Sequence, residues 1–107
     1  MRHYLRSLLE PASIALVGAS ERPGSLGRVV YENLLEGGFA GPIYAVNPRH
    51  REILGRPAWP TLASLGTDVE LALIATPQRA VAPVLASARA ANVKVAIVIT
   101  SADAVDT

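Results

Sequence analysis

The chain contains no cysteine, which excludes a disulfide framework, a thiolate metal site and a cysteine nucleophile within these residues. Aromatic side chains are scarce at 5%, so an interior has to be filled by aliphatics. Hydrophobic residues make up 50% of the chain and are mainly Ala, Val, Leu and Ile, which suits strands and helices stacked in layers. A surplus of one charge is also missing: the net charge is +1 and the arginines are scattered, which argues against a nucleic-acid partner. No apolar run approaches the ~20 residues of a membrane span. The basic start, Met1 to Arg6, is not followed by the apolar core of an export signal. The expectation is a cytoplasmic protein with no membrane partner. Its 107 residues fit one domain, without linker or repeat.

What is present is an alternation of strand and helix signals. Ser13–Val17, Pro42–Val46, Leu71–Ala75 and Val93–Ile99 are nearly continuous apolar runs, the pattern of parallel strands covered on both faces. Arg56–Pro60, whose prolines remove ladder donors, reads as a short edge strand. Leu26 to Glu36 places Leu26, Val29, Val30 and Leu34 on one helical face, and Gly37-Gly38 supplies the stop. A second helix is expected from about Pro77 to Ala91, with Val81, Val84, Leu85 and Ala88 as its buried stripe and Thr76 as its cap. One helical turn is expected at Thr61 to Leu65, ended by Gly66. An N-terminal amphipathic segment presents Leu5, Leu8 and Leu9. This order predicts an α/β, Rossmann-like, doubly wound parallel sheet of three layers, with the five expected strands arranged 3-2-1-4-5. No helix is expected after the last strand, so a fragment, or the N-terminal part of a larger enzyme, is the expected organisation.

The informative stretch is Gly18-Ala19-Ser20-Glu21-Arg22-Pro23-Gly24-Ser25-Leu26-Gly27, between the first strand and the first long helix. In this fold the strand order reverses beside the first strand and opens a crevice into which the helix N-terminus points its unpaired N–H groups. A diphosphate is favoured there, at about 0.3–1 kcal/mol per nearby anion from the helix dipole. Glycines at 18, 24 and 27 would let backbone approach phosphate, and Ser20 and Ser25 carry hydroxyl donors. The spacing is neither the dinucleotide fingerprint, whose second glycine comes two residues after its first, nor a P-loop, which needs a shorter gap and a following lysine.

The second strand ends in Asn47-Pro48-Arg49. Dinucleotide-binding domains commonly place a carboxylate there for the ribose diol; here a cation stands nearby instead. Arginine forms paired, charge-assisted hydrogen bonds to phosphate, so the ribose of the ligand should itself carry a phosphate. Coenzyme A and NADP both satisfy this, and residue chemistry leaves the two open. His50 and Arg51 are more readily explained as solvated.

The stretches Ser13–Ser20, Pro23–Gly27, Asn33-Leu34, Gly38–Gly41, Tyr44–Pro48, Asp68–Ala72 and Ala75–Pro77, in this order and spacing, resemble the CoA-binding domain of ADP-forming acyl-CoA synthetases. That group is related to the succinyl-CoA synthetase α subunit, and the same domain opens certain bacterial protein lysine acetyltransferases. The resemblance runs from about Pro11 to Thr100. It implies coenzyme A as the ligand, with contacts at Gly18, Ala19, Ser20, Pro23, Gly24 and Ser25 around the phosphates. It further implies Asn47, Pro48 and Arg49 beside the adenosine, and Ala75, Thr76, Pro77, Ile99 and Thr100 along the other side of the crevice. An ATP-grasp or acetyltransferase domain, in cis or in trans, is the implied protein partner, and a homo-oligomer is compatible with it.

The family's phosphorylated histidine and ATP-grasp domain lie outside the stretch matched here. Neither His3 nor His50 falls at that catalytic position. No catalytic residue and no metal ligand is therefore expected within the chain, and the expectation is binding without catalysis, the parent being an acid–thiol ligase. The alternatives are an NAD(P)-binding redox or sensing domain and a non-catalytic assembly or regulatory module.

Overall fold

The computed structural model describes residues 2–99, with side chains from Arg6 onward. Its centre is β1 (Ile14–Val17), whose four residues are all buried. A strand can be apolar at every position only if both faces are covered, and here they are. Parallel β2 (Ile43–Val46) and β5 (Leu71–Ile74) flank it in register, Ile14 opposite Ile43 on one side and Leu71 on the other. Among the described residues the sheet has six strands in the order β3-β4-β2-β1-β5-β6, where β3 is Glu52–Ile53, β4 is Arg56–Trp59 and β6 is Val95–Val98. Leaving β3 aside, this is the expected 3-2-1-4-5 arrangement.

Helix α2 (Leu26–Glu36) covers one face, where Leu16, Ala45 and Ile53 pack with Tyr31. Helix α3 (Gln78–Ala90) covers the other, where Ala15, Val17, Val46 and Ile74 pack with Ala88 and Val84. The three layers thus follow from the alternation along β1, with Leu16 facing α2 and Ala15 and Val17 facing α3. α2 starts at Ser25, whose hydroxyl accepts the Arg28 N–H, and stops at Gly37, after which Gly38 turns the chain with φ +78°. A single 3-10 turn, Ala63–Leu65, ends at left-handed Gly66 as expected.

Three expectations are corrected. Arg56–Trp59 is not the edge of the sheet, because β3 pairs antiparallel outside it. Ile53, fully buried, draws the chain back through a two-residue turn, Leu54-Gly55, in which both residues have positive φ, the geometry that matches strand twist in hairpins. The prolines act elsewhere. The Ala58 N–H is given to the Arg51 carbonyl on the β3 side, so strand alternation aims position 57 at β2, where Pro57 has no N–H to give. Pairing of β4 with β2 is confined to Ala58 and Trp59.

The second correction concerns α3. Pro77 is extended and occupies the N-cap position, so Thr76 lies one residue too early and makes no cap bond. Leu85, expected in the buried stripe, is 39% exposed. Third, α1 (Arg2–Leu9) buries Ser7 and leaves Leu8 and Leu9 outward. Its end is docked by Glu70, whose carboxylate accepts from the Arg6 guanidinium at 3.1 Å and from the Ala12 N–H at 2.7 Å. Among the described residues no helix is long and apolar enough to cross a membrane.

Candidate functional site

Because β1, β2, β4, β5 and β6 run parallel, the segments that leave their carboxyl ends gather at one end of the sheet. Helices α2 and α3 depart from neighbouring β1 and β5 to opposite faces, the topological switch point at which doubly wound sheets open a crevice. The structure brings the sequence-predicted residues together around it. Gly18 touches the β5 end so closely that a Cβ on it would stand 2.6 Å from the Ala75 carbonyl oxygen and 3.2 Å from the Thr76 nitrogen. The Gly18 N–H is bonded to the Val46 carbonyl of β2 at 2.9 Å, and the Ile99 N–H to the Ile74 carbonyl of β5 at 2.8 Å. Thr100 lies outside the described residues.

The loop from Gly18 to Ser25 is shaped largely by its own two serines. Ser20 accepts the Arg22 N–H at 3.0 Å, while the Arg22 carbonyl accepts both the Ser25 hydroxyl at 2.8 Å and the Ser25 N–H at 3.1 Å. Ser25 also accepts the Arg28 N–H as the cap of α2. The Ser25 hydroxyl proton is thus spent inside the loop and is not free for an anion, which corrects one of the two hydroxyl donors expected. Ser20 accepts in its bond and keeps its proton to donate. Arg28 is occupied with the Glu21 carbonyl at 2.8 Å and with Glu32.

Several amides remain to be satisfied. Those of Ala19, Ser20, Gly24, Leu26 and Gly27 find no acceptor among the described residues. They belong to the turn and to the first turn of α2, where N–H groups are intrinsically orphaned. Thr76 adds a further donor: its hydroxyl oxygen is buried and has no partner among the described residues. Buried polar groups are nearly always paired, so an orphan beside open amides marks a place that a ligand can complete.

The glycines separate into two kinds. A Cβ on Gly27 would collide with the Gly18 carbonyl oxygen, and Gly18 itself abuts Ala75; these two allow α2 to sit close against the strands. Gly24, at φ +77°, has nothing within 4 Å of a would-be Cβ. Of the three, it alone faces open space above the loop.

On the β2 side, Asn47 and Arg49 stand beside the glycine loop. The Asn47 side chain donates to the Ala19 carbonyl at 2.9 Å and accepts the Arg49 N–H at 2.8 Å. The Arg49 side chain is exposed and forms no ion pair among the described residues, and the same holds for Arg22 at the middle of the glycine loop. Arg22 was passed over in the sequence, although a cation within a Gly/Ser turn at a helix start was the signal that could have found it. Among the described residues no group of three or more His, Asp or Glu side chains could hold a metal ion.

A topological switch point whose loop carries open amides defines the class as a Rossmann-like domain. Comparison with known proteins makes this specific. Residues 12–106 match the model of the CoA binding domain, and the chain belongs to that family. It is 35% identical over 97 residues to acetate–CoA ligase [ADP-forming] I of Archaeoglobus fulgidus, covering 91% of this chain and 14% of that enzyme. It is 34% identical over 99 residues to the acetate–CoA ligase [ADP-forming] of Methanocaldococcus jannaschii, covering 92% and 14% respectively. Among solved structures, the dinucleotide-forming acetyl-coenzyme A synthetase 1 of Ca. Korarchaeum cryptofilum, in complex with phosphate and ADP, superposes with a TM-score of 0.86 at 38% identity, over 91% of this chain and 21% of that one. The chain therefore spans about a seventh of the length of these ligases.

Proposed function

We propose that this chain is the coenzyme-holding domain of an ADP-forming acyl-CoA ligase, and that it grips coenzyme A along the crevice. The diphosphate lies against the open amides from Ala19 to Gly27, with Ser20, Pro23 and Gly24 around it. Thr76, between Ala75 and Pro77, contributes its unpaired hydroxyl from the β5 side, and Ile99 continues the wall. Asn47, Pro48 and Arg49 face the adenosine end, where the Arg49 guanidinium meets the ribose phosphate. Coenzyme A, when bound, supplies the thiol on which an acyl group is carried; the residues of this chain bind and orient it.

The observation that carries this reading is the set of amides between Ala19 and Gly27 that find no acceptor among the described residues, on a loop whose Gly18 abuts the Ala75–Thr76 backbone. The relatives named above are CoA ligases, which sides with coenzyme A against NADP and with a ligase rather than an acetyltransferase as the parent. Acyl activation would be carried by an ATP-grasp domain in the same chain or in another, in the cytoplasm.

Calorimetry with coenzyme A, dephospho-CoA, NADPH and NADH tests the proposal. Coenzyme A is expected to bind most tightly, and its advantage over dephospho-CoA should shrink in Arg49→Ala by about 1.5–3 kcal/mol, the worth of hydrogen bonds to a charged group. Tighter binding of NADPH than of coenzyme A would overturn it.

A further inference from the structure

The two halves of the crevice, the glycine loop and the segment after β2, are joined through one side chain. Asn47 is half-buried and lies where three strands end. Its N–H donates to the Trp59 carbonyl of β4 at 2.8 Å, and the preceding carbonyl, that of Val46, accepts the Gly18 N–H at 2.9 Å. Its amide nitrogen donates to the Ala19 carbonyl at 2.9 Å and its amide oxygen accepts the Arg49 N–H at 2.8 Å. The orientation of the amide is fixed by its partners, since one is solely an acceptor and the other solely a donor.

Each bond has a consequence for the crevice. In a trans peptide the carbonyl and the following N–H point in opposite directions. Holding the Ala19 carbonyl therefore aims the Ser20 N–H, one of the unpaired donors, away from Asn47. On the other side, Pro48 has no N–H and restricts Asn47 to extended backbone, so the first amide available after β2 is that of Arg49. Asn47 captures it in an Asx turn, which fixes where the exposed Arg49 side chain starts. An aspartate would keep the bond to Arg49 but would set a second acceptor against the Ala19 carbonyl. Alanine would lose both bonds.

We propose that Asn47 is a positioning residue: a latch that ties the glycine loop to the β2 segment and sets the distance between the amides that take the diphosphate and the guanidinium that takes the ribose phosphate. Its role rests on the coenzyme A reading above, but its existence in the free protein does not.

The test therefore has two arms. In the free protein, amide hydrogen exchange read by NMR is expected to show the Arg49 N–H protected in the wild type, unprotected in Asn47→Ala and still protected in Asn47→Asp. Wild-type exchange at Arg49 in Asn47→Ala would overturn the latch whether or not any coenzyme binds. In the second arm, the ratio of the Kd for dephospho-CoA to the Kd for coenzyme A is expected to fall by about 10- to 100-fold in Asn47→Ala, about one charge-assisted hydrogen bond. It should reach the level of Arg49→Ala, with no further fall in the double variant. An unchanged ratio with a lowered Tm would reduce Asn47 to a purely structural role. Equal losses for both ligands, additive with Arg49→Ala, would make it a direct contact and overturn the proposal. If Asn47→Ala does not fold, Asn47→Leu, of similar shape but with neither donor nor acceptor, takes its place. Failure of the wild type to bind coenzyme A would sink the functional reading and leave the exchange arm to decide the latch.

Discussion

At the scale of single residues, the loop after β1 holds glycines with different physical reasons for being glycine. Gly27 and Gly18 sit where a side chain would strike backbone, whereas Gly24 faces open space with φ +77°. Gly24→Ala is accordingly expected to keep the fold, at a strain of about 1–2 kcal/mol for an L-residue in the left-handed region, and to weaken coenzyme A binding disproportionately. Gly27→Ala should instead damage stability itself, because the Gly18 carbonyl cannot withdraw without breaking the strand-to-helix turn. Thermal melts read beside calorimetry on the two variants check this; comparable losses of Tm in both would remove the distinction. The sequence suggested all three glycines for phosphate approach, since spacing does not reveal which face of a loop is open. Ser25 was ambiguous for a related reason: a serine at a helix start can cap the helix or face a ligand, and only its bonds to Arg22 and Arg28 tell which.

At the scale of elements, α3 carries a proline in its interior. Pro83 lies at the sixth position of Gln78–Ala90, beyond the first turn, so the Arg79 carbonyl is deprived of its partner. Pro83→Ala should raise stability by about 1–3 kcal/mol, seen as a higher Tm with unchanged coenzyme affinity; a lower Tm would show that the bend it imposes is needed for packing. Most elements were legible because apolar runs and helical stripes are local signals: β1, β2, β5 and α2 lie within a residue or so of where periodicity put them. What was not legible depended on tertiary context. β3 has two residues, too few to show any period, and is held by the burial of Ile53. Thr76 failed as a cap because Pro77 took an extended conformation, which shifted the helix start by one residue. Leu85 and Leu9 are apolar yet outward, and nothing in their spacing separates a buried stripe from an exposed one.

At the scale of the whole molecule, the apolar layer between α2 and the sheet excludes water from Tyr31, which is 1% exposed. Burial pushes its phenol above the ordinary value of 10.0, with the Arg56 guanidinium acting in the opposite sense. The folded state therefore keeps this proton to higher pH than the unfolded chain does. Stability is unaffected by Tyr31 below about pH 10 and falls as pH rises beyond it. Tyr31→Phe should flatten that alkaline loss in denaturant titrations from about pH 9 to about pH 11; an identical slope in both proteins would assign the loss to other groups. The same layered packing has an optical consequence. The chain contains one tryptophan, Trp59, whose ring meets that of Tyr44 edge-on at 5.5 Å, while its carbonyl receives the Asn47 N–H. Light absorbed by the phenol passes readily to an indole at that range, so the emission of this protein originates on β4 beside Asn47, and the molecule carries its own dye next to the segment where the nucleotide is proposed to arrive.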